Sequence, residues 1–310
     1  LSVAGHANIT SSLYVGGNVT STYYFGDGSN LTNISGVNTL DDIGDTKMGG
    51  TNFTGSLLNQ LDGAAPTTGT LNNANDNIGI GRNVMDALTT GDGNIGYGFD
   101  VLTDLTEGSN NVAMGYQALY ADTTGVDNIA IGSNSLVANT TGDYNVAIGK
   151  QALQTSTTVN ANTAVGYRAL MTSAANINVA VGYDAMANST TAGNCVAVGG
   201  YALTDNTTGS SNVALGYAAV QLNTTGANNT AVGYQALRQN TTASNNTAVG
   251  YQALTANTTG GISVAVGRYA LATQTTGGSN VAVGEQSMRY NTTGNTSVAV
   301  GQGSLYSNTC

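Results

Sequence analysis

The sequence predicts an all-β fold, a parallel β-roll or β-solenoid of 17-residue coils, and three observations carry that expectation. First, a glycine recurs at Gly81, Gly98, Gly115, Gly132, Gly149, Gly166, Gly182, Gly199, Gly216, Gly233, Gly250, Gly267, Gly284 and Gly301. Every step is 17 residues except the 16 from Gly166 to Gly182. Second, β-branched residues alternate immediately before that glycine. Third, an unbroken apolar column follows it. A period this strict means that each unit stacks on its neighbours, as in a solenoid.

In chain order, residues 1–40 come first. The run Ile9-Thr10-Ser11-Ser12-Leu13-Tyr14-Val15-Gly16-Gly17-Asn18-Val19-Thr20 alternates as strand, glycine turn and strand, which makes 1–40 a short β-rich N-terminal segment. Residues 41–75 show neither the period nor a clear alternation and read as a loop or linker. Residues 76–310 hold about fourteen coils.

Within a coil, Val112, Ile129, Val146, Val196 and their equivalents stand three residues before the glycine. Ile131, Ile148, Val232, Val249 and theirs stand one before it. That spacing puts both on one face of a short strand, and β-branching suits the pleat. These large side chains are expected to point into the coil. Leu119, Leu136, Leu153, Leu237, Leu254 and equivalents, four after the glycine, form the opposite wall. Four residues are too few for periodicity to separate a strand from a helical turn in Tyr234-Gln235-Ala236-Leu237, and the reading leans towards an extended segment.

Corners follow at Asn-Thr-Thr-Gly, beginning at Asn139, Asn206, Asn223, Asn257 and Asn291. Their glycine supplies positive φ, and Asn and Thr bond local backbone. Asn at 94, 111, 128, 145 and equivalents is placed to stack as an amide ladder. Between the two strand hydrophobes stands Ala113, Ala130, Ala147, Ala231, Ala248 and their equivalents. With the large residues inside, alternation puts this alanine outside, as a small apolar stripe suited to a close neighbouring chain. A lone coil buries too little to offset the entropy of ordering it, so an obligate oligomer is expected.

Composition narrows the function. Only 8% of residues are charged, with seven Lys+Arg and a net charge of −10. No basic patch is present to neutralise a phosphate backbone, so nucleic acid is not an expected partner. No run of eighteen apolar residues occurs to span a membrane. Cys195 and Cys310 make no disulfide framework or metal motif. The start at Leu1 and the stop at Cys310 within a repeat lead to the expectation of a fragment of a longer or processed protein.

His6 is the sole histidine, and Glu107 and Glu285 are the sole glutamates. No catalytic, cofactor-binding or metal-binding residues are therefore assigned, and no cofactor is expected. Asp41, Asp42 and Asp45 read as a solvated loop. Asp100 and Asp104 are the nearest thing to paired carboxylates. The candidate contact surface is a tyrosine column one residue after the glycine: Tyr116, Tyr167, Tyr183, Tyr217, Tyr234 and Tyr251. Other coils place Ser133, Lys150, Gly200, Arg268, Glu285 and Gln302 there, so the position faces water. Such rings either stack on a sugar or partner, or shield the coil edge.

The phrases Asn128-Ile129-Ala130-Ile131-Gly132 and Ser297-Val298-Ala299-Val300-Gly301 resemble the head repeats of trimeric autotransporter adhesins. Asn229-Thr230-Ala231-Val232-Gly233-Tyr234-Gln235-Ala236-Leu237 is similar to repeats of bacteriophage tail-fibre proteins. Phe25-Gly26-Asp27-Gly28-Ser29-Asn30-Leu31-Thr32-Asn33-Ile34 and Lys47-Met48-Gly49-Gly50-Thr51-Asn52-Phe53-Thr54-Gly55 resemble tail-fibre shaft phrases. The resemblance implies three chains wound in parallel, an intertwined homotrimer with 1–40 as a shaft segment. It also implies a place in the virion tail fibre, with tail or baseplate proteins and a host surface glycan or protein receptor as partners. The expected function is a structural fibre that supports host attachment. The alternative is a trimeric adhesin head on the bacterial outer surface, and the third reading is an ice- or mineral-binding solenoid that uses the Thr-rich corners.

Overall fold

The computed structural model describes residues 45–50, 53–60 and 74–307. The β-rich segment expected over 1–40 lies outside these residues, as do His6, Asp41, Asp42 and Cys310. Part of the expected 41–75 linker is structured. β1 (Asp45–Gly50) and β2 (Phe53–Gln60) pair antiparallel, with Asp45 opposite Gln60 and Lys47 opposite Leu58. β2 then pairs in parallel with β3 (Ile78–Ile80). The hairpin escapes a search by period because it repeats nothing. Its place explains it, since it covers the backbone edge that the first coil would otherwise leave unpaired.

From β3 to β16 (Val298–Val300), fourteen three-residue strands stack in sequence order in one parallel sheet. No helix occurs among the described residues. Equivalent residues sit directly over one another: Ala197 pairs with Ala214, Ala214 with Ala231, and Ala231 with Ala248. The parallel solenoid of 17-residue coils is the fold of the chain.

The strand faces are reversed from expectation. Ala231, Ala248 and their equivalents are fully buried, whereas Val232 is 38% exposed and its column lies on the outer surface. The alanine stripe is therefore core and cannot be an interface. The cause is the width of the coil. Leu237, Leu254 and the rest of the opposite column from Met85 to Met288 are also buried and reach across to the strand, leaving room for no more than a methyl group; only Leu305, in the last coil, is exposed. Gly96, which takes the alanine position in its coil, shows how tight the fit is. A Cβ there would lie 2.7 Å from Val84 Cγ2 and 3.2 Å from Met85 Cε.

The wall segment is neither an extended strand nor a right-handed helical turn. Gln235 and Leu237 both have φ of 53°, and Gln252 and Leu254 have 52° and 50°. Ala236 N–H closes a turn on Gly233 O at 3.3 Å, and Leu237 N–H bonds Ala253 O of the next coil at 2.9 Å. A left-handed non-glycine residue costs about 1–2 kcal/mol. Burying the leucine side chain returns roughly 1.5–3 kcal/mol, and the bond to the neighbouring coil satisfies its backbone.

Asparagine lines the interior in two ladders. In the first, Asn229 N–H donates to Asn212 Oδ1 at 2.9 Å, and Asn229 Nδ2 donates to Ala243 O at 2.9 Å. In the second, Asn223 Nδ2 donates to Asn206 Oδ1 and Asn240 Nδ2 to Asn223 Oδ1, at 2.6 and 2.7 Å. All five are buried, and each amide answers backbone groups that the turning chain leaves open. The first threonine of most corners also bonds within the stack, as Thr224 Oγ1 does to Thr241 O at 2.9 Å.

Positive φ, the expectation for the corner glycines, is not adopted by Gly142, Gly209, Gly226 or Gly260. Close approach requires them instead. A Cβ at Gly142 would lie 2.5 Å from Asn139 Oδ1 and collide with the Val159 carbonyl. The repeat glycine is doubly constrained: Gly250 has φ of 138°, and a Cβ there would lie 2.5 Å from Gly267 O. Gly250→Ala is expected to cost at least about 2 kcal/mol, read as a lower urea midpoint; an unchanged midpoint would contradict this packing.

The 16-residue coil loses its residue at a corner. Ser173-Ala174-Ala175 carries one residue where other coils carry Thr-Thr, and Asn162 Nδ2 still reaches Ala175 O at 3.0 Å. Thr163 remains paired with Val179, so the strand register is preserved.

Candidate functional site

The tyrosines form an array of ring contacts along the surface. Tyr167, Tyr183, Tyr217, Tyr234 and Tyr251 each follow a repeat glycine, and parallel stacking brings them over one another. Two coils in this stretch lack tyrosine at that position, holding Gly200 and Arg268. In both, the next residue, Tyr201 or Tyr269, supplies the ring. The result is a continuous ladder of Tyr167, Tyr183, Tyr201, Tyr217, Tyr234, Tyr251 and Tyr269, with successive centroids 5.1–5.7 Å apart.

The central rings are close to parallel, at 11° for Tyr217–Tyr234 and 8° for Tyr234–Tyr251. A centroid spacing wider than carbon–carbon contact at about 3.5–4.0 Å means that they are slipped, like roof slats. Part of each face stays open, and Tyr217, Tyr234 and Tyr251 remain 42–48% exposed. Tyr201 and Tyr269 instead meet their neighbours edge to face.

Polar side chains run beside the rings. Gln252 Nε2 donates to Gln235 Oε1 at 2.7 Å. Arg168 lies over Tyr167 and 3.5 Å from Asp184. At the other end Arg268 and Arg289 both lie over Tyr269, at 5.1 and 4.6 Å, and Arg268 also pairs with Glu285. The Asp184 carboxylate, followed by partial desolvation, pushes the Tyr183 phenol up, and partial desolvation does the same at Tyr251. Both phenols therefore stay neutral hydroxyls. Tyr116 belongs to a separate short stack with Phe99 at 5.6 Å, capped by Arg82 4.1 Å above Phe99.

The six tyrosines singled out by period all stand at the surface, but they are divided between two stacks. Tyr201 and Tyr269 are invisible to a search at one position, which misses a ring carried from the next residue, whereas Phe99, Arg82 and Arg268 stand at that position and are missed by a search for tyrosine alone. Positions one and two after the glycine, taken together, reveal them.

The other candidates do not assemble a reaction centre. Asp100 accepts from Asn83 Nδ2 at 2.8 Å and from Gln117 Nε2 at 3.4 Å, which makes it one rung of an amide column. Burial raises the Asp104 carboxyl. Among the described residues no group of three or more His, Cys, Asp or Glu side chains could hold a metal ion. Also among the described residues, no helix is long and apolar enough to cross a membrane. Cys195 replaces asparagine in the first ladder, where burial pushes its thiol up. No protein-family model and no curated protein matches the chain.

Proposed function

We propose that this chain is the rigid shaft of a trimeric extracellular fibre, of the kind that holds a bacteriophage's receptor-binding tip away from the virion. The supporting observation is the unbroken parallel stack from β3 to β16, in which every coil repeats one cross-section. In this reading length and stiffness are the function. One end docks to tail or baseplate proteins, the other serves attachment to a host glycan or protein, and neither catalysis nor a cofactor is involved.

The self-association surface is the outer strand face and not the alanine stripe. Ile148, Val198, Leu215, Val232 and Val266 are each 36–40% exposed in one column, with half-buried Val and Thr beside them. The face is about 60 Å long and about 10 Å wide, hence roughly 600 Å². This is at the upper limit of apolar patches on monomers and near the roughly 800 Å² per partner of a standard interface. A parallel sheet with apolar residues on both faces is ordinarily covered on both, and a second copy presents ridges at the same axial spacing.

Val232→Asp with Val249→Asp is expected to reduce the sedimenting species to a monomer while the far-ultraviolet circular dichroism stays that of a folded solenoid. A monomeric wild-type chain at micromolar concentration would overturn the trimer. A second reading, an adhesin head that contacts its target along the roll, is favoured by the exposed tyrosine ladder.

A further inference from the structure

We propose that the ladder from Tyr167 to Tyr269 is a binding track for a single extended, β-linked polysaccharide chain lying along the solenoid axis. This goes beyond the shaft role and stands or falls separately from it. The first argument is continuity. Seven consecutive coils each contribute one ring, and where the usual position holds Gly200 or Arg268 the adjacent residue carries the tyrosine. A ring needed only to shield its own coil edge has no reason to meet the rings above and below.

The second argument is spacing. The rings step along the axis with the strands, about 4.8 Å at a time, and a pyranose in an extended β-linked chain advances by a similar distance. One ring per sugar is therefore available along the whole track. The third is chemistry. Slipped rings offer apolar faces to the C–H side of a sugar, and the phenols with Gln235, Gln252, Arg168 and Arg289 offer donors and acceptors to its hydroxyls.

A second copy of the chain fits this column less well. The outer valine column is apolar along the stack, but charged side chains accompany the tyrosine ladder, Arg268 within it and Lys150 and Glu285 in the coils next to its two ends. Parallel copies meeting there would bring like charges together at each of these positions.

The test uses cellohexaose and chitohexaose with the matching disaccharides, titrated against the assembled protein. Tyrosine fluorescence is the readout, unobscured because the chain has no Trp. Either hexasaccharide should bind, and its disaccharide should bind at least roughly tenfold more weakly, since fewer rings are engaged. Tyr217→Ser with Tyr234→Ser and Tyr251→Ser should weaken hexasaccharide binding roughly a hundredfold with sedimentation unchanged. The matching Tyr→Phe set, followed by isothermal calorimetry, should retain most of the affinity. Three results would overturn the track: no binding of either hexasaccharide, equal binding by the serine variant, or loss of assembly in the serine variant. The last would place the ladder in a self-interface. The first two leave the shaft reading untouched, whereas the third would move its self-association surface from the valine face to the ladder.

Discussion

Replacing Asp122 by Asn will stabilise the solenoid at pH 8 by roughly 4 kcal/mol, about 1.4 kcal/mol for each pH unit of its displaced titration. Asp122 is fully buried in the second amide ladder, in line with Asn139. Its Oδ1 accepts from Asn139 Nδ2 at 2.9 Å and from Gly125 N–H at 3.2 Å, but Oδ2 has no partner. At the equivalent site Asn139 uses Nδ2 to donate to Gly142 O at 3.1 Å. By the repeat, Asp122 Oδ2 occupies the place of that amide nitrogen, an acceptor where a donor is required. Burial is the largest cause of a carboxyl pushed up to about 7 from 3.8, with Asp143 adding to it and the Gly125, Asn139 and Thr123 bonds opposing.

The sign follows directly. Between about pH 4 and 7 the folded state keeps a proton that the unfolded chain releases, so stability falls as pH rises through that window and levels off above it. Burial also raises Asp104 and Asp184, which leave a smaller residual slope of the same sign. Urea midpoints at pH 5 and pH 8 for wild type and D122N test this. A wild type more stable at pH 8 than at pH 5 would refute the assignment.

Ala231→Arg will unfold at least its own and the adjoining coils, at a cost above about 4 kcal/mol. The methyl group it replaces is fully enclosed, with Ala214 and Ala248 paired on either side. Neither volume nor a counter-charge is present for a guanidinium. Circular dichroism and hydrogen exchange would register the loss in a monomer as readily as in an assembly. That separates this variant from Val232→Asp, whose effect should be confined to association. A folded Ala231→Arg chain that had merely dissociated would restore the alanine stripe as an interface.

The contrast between these two variants shows what the sequence encodes plainly and what it hides. Period, stacking order, the leucine wall and the asparagine ladder follow from Gly233, Leu237 and Asn229 recurring at fixed offsets. Alternation in Thr230-Ala231-Val232 defines two faces, but it does not say which is inside when both are apolar. The deciding quantity is the space left by leucines arriving from the opposite wall, and no pattern within three residues reports it. One hint is present in the chain. Alanine or glycine holds the middle position in every coil, while the flanking positions admit residues as different as Thr230, Tyr97 and Met114. The position that admits only small side chains is the enclosed one. Left-handed Gln235 and Leu237 are equally hidden, because neither residue type favours that conformation and only tertiary packing sustains it. The candidate track is legible as a column of rings, but its continuity through Tyr201 and Tyr269 depends on side-chain direction.

The coil with one residue fewer has an evolutionary corollary. Ser173-Ala174-Ala175 shortens a corner while Thr163 still meets Val179, so a change in length heals within one turn of chain. Unequal recombination between repeat-encoding segments would then add or remove whole turns without an intermediate of broken register. Excision of residues 217–233 would join Gly216 to Tyr234 and shorten the rod by about 4.8 Å, its walls otherwise intact. Such a gene can adjust the reach of its product in equal increments, leaving whatever is attached at either end unaltered.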